Sequence, residues 1–282
     1  MSNAPASGLS INTATVKEQL GFREVAEACA RLGITAFAPW RDQIAAVGLD
    51  EAARIVRGTG LRVTGIIRGG LFPAVDKSGR DAAIEENKRA VDEAAALGAD
   101  CLVLIAGGLP KGSRDISAAR GMVADGIAAV LPYARACKVP LALEPLHPMF
   151  AADRACVTTL GEALDICDML APGDGKALGV AIDTYHVWWD PLLAHSIARA
   201  GRGERILAHH ICDWLVPTRD ILLDRGMMGD GVIDFRGFRR MIEAAGYHGP
   251  QEVEIFSTDW WKRPGEEVLR VCIERYDVHC RA

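Results

Sequence analysis

Short apolar runs alternate with longer stretches whose apolar residues recur every three or four positions, and this alternation continues from one end of the chain to the other. The short runs predict strands at 8–14 (GLSINTA), 34–39 (ITAFAP), 61–67 (LRVTGII), 101–106 (CLVLIA), 140–146 (PLALEPL), 178–184 (LGVAIDT), 205–212 (RILAHHIC) and 251–257 (QEVEIFS). Helical periodicity fills the gaps. In 115–133, Ile116, Ala119, Val123, Ile127 and Val130 share one stripe, and Phe235, Phe238, Ile242 and Ala245 repeat it before the last strand. Glycines between helix and strand, as in ARLG-IT and AALG-AD, fit left-handed helix caps. A strand–helix unit repeated eight times over roughly 250 residues predicts an α/β fold, a parallel sheet closed into a (β/α)8 TIM barrel. An open doubly wound sheet fits less well, since no GxGxxG follows the first strand. No linker interrupts the pattern, so residues 1–282 are expected to form a single domain.

Reactive groups in such a barrel collect at the carboxyl ends of the strands. The last four strands end in Leu143-Glu144-Pro145-Leu146-His147, Ile182-Asp183-Thr184-Tyr185-His186, His209-His210-Ile211-Cys212-Asp213 and Val253-Glu254-Ile255. Glu144, Asp183, His210 and Glu254 thus lie one per strand at similar depth, where they can converge. Period-two alternation turns Ala142, Ala181 and Ala208 inward beneath the first three, which leaves room for a site. The same rule puts Glu252 inward beneath Glu254, and this calls for either a bulge or a buried cationic partner. Any one of these residues alone would be an ordinary polar group. Together, buried carboxylates repel one another and each costs several kcal/mol, a difficulty that a cation removes. Three carboxylates and an imidazole suit one borderline-hard divalent ion, Mn²⁺ first, with Mg²⁺, Co²⁺ or Zn²⁺ as further options.

Composition narrows the function classes. With 50% hydrophobic and 24% charged residues, the chain has a substantial core and is neither disordered nor collagen-like. A net charge of −5 argues against a surface that tracks nucleic-acid phosphates or anionic lipid. No window is apolar enough to span a membrane, and residues 1–15 lack the pattern of a signal peptide, so the expected location is the cytoplasm. The eight cysteines form no CxxC pair and read as small buried residues. All six tryptophans, at 40, 188, 189, 214, 260 and 261, follow strands. An indole face suits the C–H face of a sugar ring, which makes Trp40, Trp188 and Trp214 candidate substrate contacts. Such rings also cover loops or subunit interfaces, and this leaves a homo-oligomer open. The segment Asp213 to Gly231 has the size of a lid and carries Arg219 and Arg225. Arg68 and Lys111 are placed to meet hydroxyls or a phosphate.

The segments LALEPLHP, AIDTYHVWW, HHICD, GDGVIDF and VEIFS together resemble the sugar phosphate isomerase/epimerase superfamily with the xylose isomerase-like TIM barrel. That group also contains ketose 3-epimerases, inosose dehydratase and the abasic-site endonucleases of AP endonuclease family 2. The resemblance implies Glu144, Asp183, His210 and Glu254 as metal ligands. It also implies Glu144 and Glu254 as an acid/base pair that removes and returns a proton through an enediolate. His186 would hold a substrate hydroxyl, Asp213 would orient His210 or a ligand water, and His147 is a further acid/base candidate. Two departures weigh against ketose 3-epimerisation: Phe150 stands where a second glutamate is expected, and Pro217, with Arg219 close by, where an arginine is expected. Asp224-Arg225-Gly226 and Ala106-Gly107-Gly108 lack the extra histidines of the endonucleases, and with the acidic pI this argues against nucleic acid as partner. The expected function is therefore metal-dependent isomerisation or epimerisation of a small sugar or keto-sugar. The alternatives are a lyase or deglycosidase acting on a 3-oxo-glycoside and a non-catalytic sugar-binding barrel.

Overall fold

A computed structural model describes residues 6–281 of the chain. Its strands are β1 (Ala6–Asn12), β2 (Ile34–Ala38), β3 (Arg62–Val63), β4 (Ile66–Gly70), β5 (Leu102–Ile105), β6 (Leu141–Glu144), β7 (Leu178–Asp183), β8 (Ile206–Ile211), β9 (Asp213–Trp214), β10 (Arg225–Gly226) and β11 (Gln251–Val253). Nine of them form one parallel sheet in the order β3-β2-β1-β11-β8-β7-β6-β5-β4, while β9 and β10 form a separate antiparallel pair. The eight expected staves are all present. The third is divided into β3 and β4 on either side of Thr64-Gly65, so both ends of the sheet belong to one stave, and a parallel bridge between Trp40 and Ile67 closes the seam.

Helices α1 (Phe22–Arg31), α2 (Arg41–Val47), α3 (Leu49–Thr59), α4 (Lys77–Leu97), α5 (Ile116–Ala136), α6 (Leu160–Leu170), α7 (Thr184–Val187), α8 (Leu193–Arg202), α9 (Phe235–Ala244) and α10 (Gly265–Arg275) connect the strands. Helix α5 starts at the expected point, where Asp115 accepts a hydrogen bond from the Ala118 amide at 2.9 Å, and it runs on through Pro132.

Several boundaries differ from expectation: the fifth stave spans only Leu141–Glu144, the last stops at Val253, and two further differences have a clear cause. The first strand stops at Asn12 because its side chain accepts from the Ala14 amide and starts a 3₁₀ turn over Thr13–Val16. The third stave continues to Gly70, so Arg68-Gly69-Gly70 lies on a strand rather than in a loop. Gly70 has φ 96°, and a Cβ there would collide with the Ile105 carbonyl, which leaves glycine as the residue that fits.

Alternation along the strands separates two packed regions. Leu9, Phe37, Leu104, Leu143 and Ile182 belong to the large core that the helices cover, with Val25, Ala94 and Ile127 on the helix side. Inside the barrel, Ala38, Ile67, Cys101, Val103, Ala142, Ala181 and Ala208 form their own cluster, with the three expected alanines beneath the strand ends. Seven of the eight cysteines are buried, and all eight are free thiols. Among the described residues, no helix is long and apolar enough to cross a membrane.

Candidate metal centre

The register of the sheet sets the site. Ser10 pairs with Glu252, Glu252 with His210, and His210 with Asp183, so these four form one row across the barrel. Glu144 closes β6, and Glu254 sits just beyond β11, where its amide still donates to the Ile211 carbonyl at 3.1 Å. One ligand atom from each of Glu144, Asp183, His210 and Glu254 lies within 4.8 Å of all the others, and all four residues are buried. Opposite ligands on an ion with bonds of about 2.1 Å stand about 4 Å apart, so a small contraction of this donor set can hold a divalent ion. Nδ1 of His210 faces the cluster, 3.2 Å from Glu144 Oε1 and 4.0 Å from Glu254 Oε2. Its Nε2 points the other way, 3.5 Å from Glu252 Oε1, and makes no hydrogen bond.

Glu252 is inward, as alternation requires, and β11 pairs with β8 in unbroken register rather than through a bulge. It accepts from Asn12 Nδ2 at 2.8 Å and from Thr64 Oγ1 at 2.7 Å, and His210 is its cationic neighbour. Burial opposes charge on His210, yet Glu252, Glu144 and Glu254 outweigh it and hold the imidazole well above its ordinary range. Burial, helped by Glu254 and Asp183 and opposed by His210, pushes the Glu144 carboxyl up to about 7. The same desolvation raises Asp183.

Arg225 is also part of this centre. Its Nη1 lies 3.1 Å from both Asp183 Oδ2 and Glu254 Oε2, its Nη2 lies 3.2 Å from His186 Nε2, and its guanidinium faces the Tyr185 and Phe256 rings. At 4% exposure it is a fixed counter-charge rather than a residue on an open lid. Burial first, and then the Arg225 charge, hold His186 well below the ordinary imidazole range, so this histidine is neutral. Its Nδ1 accepts from the His147 amide at 3.2 Å.

Above the cluster lies a pocket lined by Trp40, Arg68, Phe150, Arg154, His186, Leu222, Arg225 and Phe256, with Glu144 and Glu254 at its floor. Of the expected substrate contacts, Trp40, Arg68, His186 and Arg225 come together here. The others do not. Trp214 stacks on His147 at 4.8 Å and packs on Tyr185 and Trp188, forming an aromatic layer beside the pocket. His147 reaches the site through its backbone amide, while its ring Nδ1 accepts from the Met149 amide. Arg219 is a surface residue, with its side chain 61% exposed and paired to Asp224 and Asp259. Asp224 on the same loop and Asp259 beyond β11 hold it there. Asp213 does not orient His210: its oxygens accept from the amides of Trp214, Gly229, Gly231 and Ile233, and so fix the loop that delivers Arg225.

Sequence reasoning missed Asn12, Arg154, Leu222 and Phe256. Asn12 ends the first strand and donates to both Glu252 and Glu254, so the strand-end rule that found the ligands would also have found it. Arg154 sits in an irregular segment after the 3₁₀ turn at Pro148–Phe150, where no periodicity applies.

The family model for the xylose isomerase-like TIM barrel matches residues 26–275. Protein SMc04130 from Sinorhizobium meliloti 1021 is 68% identical, covering 98% of this chain and 100% of its own, with a TM-score of 0.96. The IOLI protein with a binding zinc atom superposes with a TM-score of 0.81 at 19% identity, covering 97% of this chain and 98% of its own. The 3-keto-D-glucoside 4-epimerase YcjR from E. coli does so with a TM-score of 0.69 at 19% identity, covering 89% of this chain and 94% of its own. Among curated proteins none matches. Strand order, the placement of the strand-end cluster and a family match over most of the chain agree: this protein belongs to the xylose isomerase-like TIM barrel family.

Proposed function

We propose that the protein isomerises or epimerises a sugar or keto-sugar with the help of one divalent ion, by removing a proton next to a carbonyl and returning it through an enediolate. The observation that carries this reading is the burial of Glu144 and Glu254 on strands separated by two others, together with Asp183 and His210, at the floor of one pocket. When bound to Glu144, Asp183, His210 and Glu254, the ion supplies positive charge against substrate oxygens that become negative. Mn²⁺ is the first choice for this oxygen-rich donor set.

The remaining chemistry falls to side chains. Glu144 and Glu254 approach from two sides, so one carboxylate takes the proton from the carbon and the other returns it to the opposite face or to the neighbouring carbon. His186, neutral and buried, positions a substrate hydroxyl. Arg225 offsets the carboxylate charge, which would otherwise oppose an anionic transition state. Trp40 has committed its indole N–H to Asn12 Oδ1 at 2.7 Å and therefore offers a ring face, set edge-to-face against Phe256 at 5.4 Å.

A second reading is elimination from a 3-oxo-glycoside, with the same proton abstraction and a different fate for the enediolate. It is favoured by a neighbouring cavity of about 370 Å³ that shares Trp40, Ile67 and Arg68 with the pocket and reaches Arg41, Asp42 and Asn87, where a substituent beyond the ring could lie. Incubating Mn²⁺-loaded protein with ketoses and 3-keto-glycosides in D₂O, followed by NMR, tests both. Deuterium gained with an intact skeleton supports epimerisation, and loss of water or an aglycone supports the lyase. A ligand that binds without exchange overturns both in favour of a sugar-binding barrel.

A further inference from the structure

Two guanidinium groups line the pocket without being held in an ion pair. Arg68, on β4, and Arg154, after the Pro148–Phe150 turn, both face it. Among the described residues neither makes an ion pair or a side-chain hydrogen bond. Each lies instead against an aromatic ring, Arg68 at 5.8 Å from the Trp40 centroid and Arg154 at 5.6 Å from that of Phe150. The arginines around them are paired: Arg225 with Asp183 and Glu254, and Arg41 with Glu86 and Glu93. Burial and the like charge of Arg154, opposed by Asp42, weaken the hold of Arg68 on its proton, so the two cations lie within each other's field.

A divalent ion and Arg225 offset three of the four negative charges on Glu144, Asp183, Glu254 and Glu252, so Arg68 and Arg154 outweigh the one that remains, in a chain whose net charge is −5. Beyond Arg68 the charged residues of the groove are Asp42 and the paired Arg41 and Glu86, so it offers an anion no further unpaired cation. A planar guanidinium fork matches carboxylate and phosphate oxygens, and two forks over one opening make a clamp.

We infer that the substrate carries an anionic group, a carboxylate or a phosphate, held by Arg68 and Arg154 while its polyol end reaches Glu144 and Glu254. The placement of the polyol end rests on the enediolate reading; the anion clamp does not.

The test uses Mn²⁺-loaded protein and calorimetric titration with D-glucuronate, D-fructose 6-phosphate, inorganic phosphate and D-fructose. At least one anionic sugar binds roughly 10- to 100-fold more tightly than D-fructose, the advantage shrinks as salt is raised, and R68Q and R154Q each remove most of it. Preference between D-glucuronate and D-fructose 6-phosphate identifies the anion, with inorganic phosphate as the arm for a free ion. Equal affinity for anionic and neutral sugars, or anion affinity unchanged in the double variant, overturns the inference. The salt dependence of the unmodified protein decides the matter even if a variant fails to fold. An anionic sugar that binds through the arginines but exchanges no deuterium leaves the clamp intact and sinks the enediolate reading. Deuterium exchange on D-fructose without any gain from an anion does the reverse.

Discussion

Replacing Glu252 by Gln removes one negative charge from behind His210 while leaving the shape of the barrel floor in place. Oε1 of Glu252 accepts from Asn12 at 2.8 Å and faces His210 Nε2 at 3.5 Å, and Oε2 accepts from Thr64 at 2.7 Å. In E252Q the amide oxygen must stay on the Asn12 side, because the Asn12 NH₂ can only donate. The new NH₂ then meets the Thr64 hydroxyl, which turns to accept it and donates to Ser10 Oγ, 2.8 Å away. The hydrogen bonds are thus re-formed, and His210 loses the carboxylate that orients its ring and raises its basicity. Losses of this kind weaken metal binding by about 10- to 100-fold, equivalent to about 1.4–2.7 kcal/mol. The expected result is a Mn²⁺ affinity lower by that factor in calorimetric titration, with the metal-stripped proteins unfolding within a few degrees of each other. Equal Mn²⁺ affinity in the two proteins would refute the proposed action of Glu252 on His210. Collapse of the fold instead would make its charge a structural requirement.

Glu254→Gln should abolish both Mn²⁺ binding in titration and deuterium exchange in D₂O, and a fully active metal-free variant would sink the mechanism. Because Glu144 titrates in the metal-free fold at about 7, above the ordinary carboxylate value, it holds a proton below that pH that the ion must displace. Apparent metal affinity should therefore rise with pH by up to about tenfold per unit for each proton displaced, the Glu144 part levelling off above 7, and a flat profile counts against the assignment. Arg225→Met strips Asp183 and Glu254 of their cation and should destabilise the metal-free protein by roughly 3–5 kcal/mol in urea unfolding, with Mn²⁺ restoring part of the loss. Ala208→Leu overfills the barrel interior beneath His210 and should cost about 1–3 kcal/mol by the same assay.

Much of the architecture was legible because it is written in short-range pattern. Alternation on the strands sorted Ala142, Ala181 and Ala208 inward, and the strand ends brought Glu144, Asp183, His210 and Glu254 together. Two of the boundaries that differed were set by single contacts, the Asn12 side chain on the Ala14 amide and the close approach of Gly70 to Ile105. Loop residues were the least legible. Arg219 and Arg225 lie on the same loop, yet one pairs with Asp224 and Asp259 at the surface while the other is buried against Asp183. Their separation depends on Asp213 gathering amides from residues up to 20 positions away, which no local periodicity encodes. Arg154 escaped notice for the same reason.

The division of the third stave at Thr64-Gly65 leaves the hydrogen-bonded hoop of the barrel with one thin seam. Across it a two-residue ladder, Ala36 with Arg62 and Phe37 with Val63, gives way to single links, Thr64 to Phe37 at 3.0 Å and Ile67 to Pro39 at 3.2 Å. Backbone opens most readily where few hydrogen bonds must break together, so amide exchange should enter the hoop here first. This seam borders Trp40 and carries Arg68, whereas Glu144, Asp183 and His210 sit on β6, β7 and β8, which pair with their neighbours over three or four residues each. Breathing of the barrel is thereby directed to the side where a ligand would arrive, and the spacing of the strand-end ligands on the opposite arc is kept.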